Sequence, residues 1–527
     1  MFIMLMILMA PMILMLKTTM NSTTINTSLQ MLNFNSLPLT VDIIMNWQTM
    51  LFTLTVTFIS FMIMIYSKDY ISSNMNQFMI ILSLFVASMI TLILSNNMMF
   101  VIMGWDGLGL TSYILVMYYQ NNTSSAAASI TLLTNRVGDI LIMMSMALLI
   151  HSNTWNMMQN NKMNSMSMIF LMLASFTKSA QFPFTAWLPA AMAAPTPVSA
   201  LVHSSTLVTA GVWLMFRLSN NIHPTTLKIM MISATLTSLT SSMSAMAEMD
   251  LKKIIALSTL SQVAFMMMTI SLKMFNLSMF HLITHAMFKA TMFMCVGCMI
   301  NNSLYQDQRT IKSNPPYMKT INTTMGMASM ALSGFPFTTG FYSKDAILEQ
   351  QNMLNSNKML TMMILISITI TTAYNLKITM KALSWNKMKS SDSMNNKMHN
   401  MKNSTTVMAP TTMLMGNWLS WVSTTEMSPV IKTNQKLTPL ITIIVGSLAL
   451  MMSKMNKKLS LIMTSMWNMN FISFSPTKIT SLGSKSLKTD NSWKESHFLY
   501  FNKNTKSSPT HLMISTSMMI MLLPIIL

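Results

Sequence analysis

Eight titratable side chains stand in stretches otherwise apolar enough for a bilayer interior: Asp106, Lys178, His203, His281, His285, Lys289, Lys344 and Asp345. An ionisable group at mid-bilayer depth costs about 2.5–3.5 kcal/mol on insertion scales, and such groups persist where they are paired, hydrated or functional. His281, His285 and Lys289 are spaced four apart. On a helix each such step turns about 40°, so the three share a stripe about 80° wide and about 12 Å long. Imidazole exchanges protons near neutral pH, and a desolvated lysine is drawn toward the same range. Three such groups in register suit a proton relay better than polar side chains gluing helices together. Asp106 and Lys178 lie in separate apolar stretches, Lys178 just before Pro183. A carboxylate near a buried lysine favours its charged form, so moving that carboxylate releases a proton. Arg136 and Asp139 are spaced for an ion pair on one helix face, and Asp250, Lys252 and Lys253 read as a cluster at the membrane interface.

These residues need helices to hold them. Apolar stretches of spanning length centre near residues 9, 57, 87, 108, 138, 176, 207, 236, 263, 288, 330, 371, 415, 445 and 519, which predicts an all-α polytopic membrane protein of about fifteen transmembrane helices. Backbone in lipid must satisfy its own hydrogen bonds, and the alternation of a barrel strand is absent. Polar connections fall at Lys17–Asn35, Asn153–Ser165, Asn301–Lys319 and Asn386–Ser404. Prolines interrupt two stretches: Pro183, Pro189, Pro195 and Pro197 within Ala174–Pro197, and Pro336 between Gly334 and Gly340. Broken helices are tolerated at membrane depth where they line a cavity, and in transporters paired breaks point at the ion site. Ser453–Thr510 is polar and basic with apolar islands. It reads equally as a loop or as a helix lying on the membrane surface.

Composition supports the membrane assignment. Of 527 residues, 52% are hydrophobic and 9% are charged, against roughly 25% charged in a soluble domain. The net charge of +20 sits mostly in connections and the C-terminal region. That placement suits anionic lipid and positive-inside topology rather than the basic face of a nucleic-acid-binding fold. A genetic code that reads a common isoleucine codon as methionine, as in many animal mitochondria, accounts for 71 methionines. Met1–Leu16 is apolar without a basic leader or an Arg-rich transit peptide, as expected of a chain made inside the organelle. Cys295 and Cys298 lie in an apolar run and read as small buried side chains. No P-loop or dinucleotide fingerprint is present, since Gly104, Gly107 and Gly109 have the wrong spacing, and the cysteines are too few for an iron–sulfur cluster.

From about Val41 to Leu383 the chain resembles the antiporter-like membrane subunits of respiratory complex I and their Mrp-type cation/proton antiporter relatives. The resemblance rests on seven strings in family order. They are Gly104-Trp105-Asp106-Gly107, Asn135-Arg136-Val137-Gly138-Asp139, Lys178 to Pro183, Pro195 to His203, Asp250 to Lys253 with Ser258 to Gln262, His285 to Lys289, and Gly340 to Asp345. It implies two inverted five-helix repeats, each with a broken helix, and a C-terminal lateral amphipathic helix, which favours the surface-helix reading of Ser453–Thr510. By position it implies that Asp106 and Lys178 are the carboxylate–lysine pair of the first half-channel and His203 a connecting histidine. Lys289 is then the central lysine with His281 and His285 beside it, and Lys344 with Asp345 the terminal lysine. Asp106 stands where many members have glutamate, one methylene longer.

The expected organisation is N-terminal helices over 1–96, an antiporter-like core over 97–384, further helices over 385–457, the lateral helix over 458–510 and a final helix over 511–527. The resemblance implies a proton-translocating subunit of a multi-pass inner mitochondrial membrane complex, coupled to oxidation of NADH by ubiquinone. NADH, FMN, iron–sulfur clusters and ubiquinone would be held by partner subunits, with no cofactor or metal in this chain. The implied partners are an adjacent antiporter-like chain 4, accessory subunits and lipids including cardiolipin, and no nucleic acid. Rival readings are an Mrp-type Na⁺/H⁺ antiporter subunit and a non-transporting scaffold.

Overall fold

The computed structural model describes residues 24–34, 37–72, 74–150, 155–157, 164–303, 305–309, 319–353, 358–383, 398–423 and 436–452, with 460 and 463–464. The expected first and last spans and the lateral helix lie outside these residues. The chain divides into two compact units, Met1–Trp467 and Asn468–Leu527, and everything below concerns the first.

Helices dominate. In chain order they are α1 (Trp47–Tyr70), α2 (Met75–Leu94), α3 (Met98–Val116), α4 (Asn122–Leu149), α5 (Ser165–Lys178), the single turn α6 (Trp187–Ala190), α7 (Thr196–Arg217), α8 (Pro224–Ala247), α9 (Leu251–Ser271), α10 (Phe275–Ser303), α11 (Lys319–Ser333), α12 (Thr339–Met353), α13 (Lys358–Leu383), α14 (His399–Ser423) and α15 (Thr438–Met452). The centre of each predicted span between residues 57 and 445 falls within one of them. Nine of the described helices are long and apolar enough to cross a bilayer. The apolar windows of α7, α9 and α10 are 100% buried, against 33% for α4. His203 on α7 and His281, His285 and Lys289 on α10 are therefore enclosed by protein.

The structure adds a β-hairpin where the sequence predicts a polar connection. Strands β1 (Ile25–Phe34) and β2 (Leu37–Met45) pair antiparallel from Ile25↔Met45 to Phe34↔Leu37. A two-stranded ribbon is marginal by itself. Here Asn97 Nδ2 donates to the Thr40 carbonyl at 2.6 Å, and Ile43 bridges to Ser95. Those contacts come from the α2–α3 link, so no local pattern announces them.

Both proline-marked stretches are broken helices. Between α5 and α7 the backbone passes through Ala180 at φ 52° before Pro195 caps α7. From Ser199 to Thr206, α7 winds as a π-helix, with the Leu207 N–H bonded to the Val202 carbonyl. Pro197 has no N–H to give the ladder, and such wide turns gather at functional sites. Between α11 and α12, Gly334 takes φ +80° and Phe337 φ 65°. Far along the chain, Asp69 near the end of α1 accepts from the Asn400 N–H at 2.6 Å, the Asn400 amide at 2.8 Å and the Met401 N–H at 3.2 Å. A carboxylate at the first turn of α14 satisfies free N–H groups and suits the helix dipole.

The α11–α12 break depends on close approach. A Cβ on Gly340 would lie 2.9 Å from the Ala331 carbonyl carbon and closer still to its oxygen. Gly340→Ala is expected to destabilise the protein by roughly 1–3 kcal/mol, the scale of overpacking. Thermal unfolding of the purified, detergent-solubilised assembly measures this as a lowered midpoint.

Candidate functional site

Lys178 ends α5 at the first break and is fully buried. Its Nζ donates to the Trp105 carbonyl on α3 at 2.6 Å and sits 4.1 Å from the centre of the Trp105 ring. A desolvated ammonium over an indole face gains about 2 kcal/mol. Asp106 makes no ion pair with Lys178. It faces Arg136 Nη1 at 3.8 Å, and Arg136 also holds Asp139 at 3.1 Å. Asp106, Asn135, Arg136 and Asp139 line one recess between α3 and α4. Asp139 is the less exposed carboxylate, at 15% against 37% for Asp106. Both carboxylates lie within electrostatic range of Lys178. The direct pairing of Asp106 with Lys178 expected from the sequence is thus replaced by a trio, Asp106–Arg136–Asp139, standing beside a lysine held by Trp105.

His203 occupies the π-helical turns of α7 and is 1% exposed. Neither ring nitrogen has a partner among the described residues, and its ring meets Trp187 edge-on at 6.2 Å.

The spaced trio on α10 stands in register. His281 and His285 have ring centres 6.3 Å apart. His281 is held from two sides, with Nδ1 2.9 Å from Ser343 Oγ on α12 and Nε2 3.2 Å from Gln262 Oε1 on α9. His285 is fully buried, with both nitrogens unpartnered among the described residues, and packs edge-on against Phe288. Lys289, also fully buried, donates to Ser258 Oγ on α9. Lys344 on α12 donates to the Leu332 carbonyl at the end of α11. It shares a shallow recess with Asp345, Gly334 and Thr442, and Asp345 Oδ1 is buried with no hydrogen-bond partner among the described residues. Lys289, His285 and His281 all lie within electrostatic range of Lys344. Among the described residues, no carboxylate stands at ion-pairing distance from Lys178, Lys289 or Lys344.

The third cluster lies elsewhere, where α8 passes to α9. Lys253 pairs with Asp250 at 3.0 Å, and Lys252 donates to the Ala194 carbonyl at 3.1 Å, steadying the link into α7. Cys295 Sγ lies 3.1 Å from Thr324 Oγ1, and both cysteines are buried and unlinked. Trp105, Gln262 and Ser343 fall within the family strings, but the sequence assigns them no role as partners, because a hydroxyl, an amide or a carbonyl in an apolar run carries no charge to single it out.

Residues 95–371 match the family described as NADH:quinone oxidoreductase/Mrp antiporter, transmembrane, and residues 31–79 match NADH-ubiquinone oxidoreductase (complex I), chain 5 N-terminus. NADH-ubiquinone oxidoreductase chain 5 of Lumbricus terrestris is 42% identical over 357 residues, covering 66% of this chain and 62% of the relative. The protein of that name from Artemia franciscana is 44% identical over 326 residues, covering 61% and 60%. The chain thus spans about three-fifths of the length of these relatives. Two solved structures share the fold. One is the Mrp complex of Dietzia sp., with TM-score 0.70 and 20% identity over 98% of this chain and 59% of that chain. The other is an archaeal membrane-bound sulfane sulfur reductase, with TM-score 0.71 and 18% identity over 85% and 92%.

The trio yields an ordered expectation. Asp139→Asn should slow proton translocation by the assembled protein more than Asp106→Asn, because Asp139 is the more enclosed of the two. Initial rates of acidification in sealed vesicles compare the two, and equal effects would contradict the ranking.

Proposed function

Because the chain belongs to the NADH:quinone oxidoreductase/Mrp antiporter family, we propose that it is a proton-translocating subunit of respiratory complex I in the inner mitochondrial membrane. The observation that carries this reading is the row His281–His285–Lys289 on a helix whose apolar window is fully buried, with Lys344 beside it and no carboxylate paired to either lysine among the described residues. Buried charges normally survive by pairing. Here the lysines meet only a hydroxyl or a carbonyl, an arrangement that lets each be charged or neutral in turn.

The proposed mechanism is electrostatic. His281 and His285 can each take and give a proton at a ring nitrogen. His281 is poised between Ser343 and Gln262, while both nitrogens of His285 are available. Ammonium groups on Lys289 and Lys344 repel across a low-dielectric interior, so a proton arriving at one drives the other onward. In the first half the carboxylates of Asp106 and Asp139 attract charge to Lys178, and Arg136 competes for them. Swinging the guanidinium between its two carboxylates changes the field at Lys178 without moving the lysine. We assign His203 to the passage between the two lysine sites, and Asp345 to the far end beside Lys344.

Each unit charge moved against 100 mV requires about 2.3 kcal/mol. We place the source of that work in partner subunits, where NADH, FMN, iron–sulfur clusters and ubiquinone carry the electrons, so that the chain acts as part of a proton-translocating NADH:ubiquinone reductase. The exposed face around Arg136 includes Met103, Leu133 and Ile140. An arginine there suits cover by a neighbouring subunit, such as an antiporter-like chain 4, more than bare lipid, while cardiolipin suits the lysines of the polar connections.

Lys178→Met and Lys289→Met, each in the assembled complex, should abolish NADH-driven proton pumping. An unchanged proton-to-electron ratio with intact assembly would make the chain a scaffold. The likeness to an Mrp complex raises a second reading as a Na⁺/H⁺ antiporter subunit. Sodium-gradient-driven proton movement without NADH would establish that reading instead.

A further inference from the structure

Asp42 is a buried carboxylate that proton translocation does not use. It lies on β2, shortly before α1, and is 7% exposed. Asp42 and Ile44 are buried while Val41, Ile43 and Met45 are partly exposed, so Asp42 points inward from the hairpin. One of its oxygens is engaged. Oδ2 accepts from Thr40 Oγ1 at 3.1 Å, and that hydroxyl accepts in turn from Asn97 Nδ2 at 3.2 Å. Oδ1 is buried and meets no donor among the described residues. No lysine, arginine or histidine among them stands at ion-pairing distance from Asp42.

A second such oxygen stands beside it. Ile43 bridges antiparallel to Ser95, and the Asn96 N–H donates to the Asp42 carbonyl at 3.0 Å. That register sets Asp42 directly opposite Asn96, so their side chains share one face. Their Cβ atoms are then about 4.5–5.5 Å apart. Asn96 is also 7% exposed, and its Oδ1 too is buried without a donor among the described residues. The Asn96 carbonyl accepts from the Met157 N–H at 3.1 Å, which fixes the backbone there. Two enclosed acceptor oxygens side by side need a shared partner. Reversing the Asn96 amide would supply a donor but leave the carboxylate's charge uncompensated. Buried charges are paired or coordinate a metal.

We propose that Asp42 and Asn96 bind a hard cation through the Oδ1 of each, fastening the β1–β2 hairpin to the α2–α3 link. Carboxylate and carbonyl oxygens suit such ions. A softer metal has no ligand set, since no three His, Cys, Asp or Glu side chains gather among the described residues. With one carboxylate the site carries a single negative charge, which a monovalent ion neutralises. Charge balance therefore favours Na⁺ over Ca²⁺, whose affinity rises with the charge of its ligands. Both residues lie outside the spanning helices, and the ion is a fastener rather than cargo.

The test is amide hydrogen exchange of the assembled complex in detergent, read on peptides covering residues 40–46 and 95–99. The probes are NaCl, CaCl₂ and, as a cation too large for the site, N-methyl-D-glucamine chloride, at equal ionic strength. At about ten times its dissociation constant, the bound ion should slow exchange there about tenfold. Asp42→Asn should exchange at the fast rate in every salt. Asn96→Asp adds a second carboxylate and should move the preference from Na⁺ toward Ca²⁺. Slowing by either ion that Asp42→Asn abolishes supports the site and tells which ion resides in it. Equal rates of the parent protein in all three salts would overturn it, as expected of a reversed Asn96 amide bonded to Asp42. Slowing that persists in Asp42→Asn also overturns it, because the ion then acts elsewhere. If Asp42→Asn does not assemble, Asn96→Asp decides alone, and an unchanged salt preference counts against the site.

Discussion

A cation enclosed by apolar helices needs an acceptor, and in this protein the acceptor is usually a main-chain carbonyl. Lys344 takes Leu332, Lys252 takes Ala194, Lys377 takes Met246 and Arg217 takes Ile93. Each of these carbonyls lies at or near the end of a helix or turn, where the last C=O groups lack an intrahelical partner and the dipole favours positive charge. Helix ends normally lie at the membrane surface. To bring one to the depth of Lys344, the helix must break inside the bundle, and the α11–α12 break supplies that end. The breaks and the buried lysines are therefore one requirement met twice, and Gly334 and Gly340 serve the second of them.

Lys178 and Lys289 depart from this pattern, each in its own way. Lys178 takes the carbonyl and the ring of one residue, Trp105, well inside α3. It gains the ring attraction in place of an ion pair, and its carboxylates stay one layer away around Arg136. Lys289 has no carbonyl at all and depends on a serine hydroxyl. A carbonyl can only accept. A hydroxyl accepts and donates, so Lys289 is the one of these lysines whose partner can pass something on. His281 shares that property through Ser343, and its helix is tied to α12 again by Thr284, 3.4 Å from the same serine oxygen.

Much of this was legible in the sequence because a bilayer imposes length and polarity on every spanning segment. The apolar runs marked out the described helices, and steps of four placed His281, His285 and Lys289 on one stripe of α10. Charge is conspicuous in such runs, so Arg136 beside Asp139 could be read as a pair. What stayed hidden depends on contacts between distant segments. The β1–β2 hairpin leans on Ser95 and Asn97, and Trp105 presents its carbonyl to a lysine 73 residues away. Pro195 and Pro197 signalled an interruption but not the π-helical winding around His203, which follows from how α7 packs.

The clasp between Asp69 and the start of α14 joins residues 331 positions apart. Such a contact closes only after every intervening helix has been made and inserted. Until then α1 waits with a carboxylate that has no N–H groups to receive it, and α14 has no anchor for its first turn. The order of synthesis thus makes the fastening of the two a late event, and nascent chains stalled short of Asn400 would hold a bundle still open along that seam.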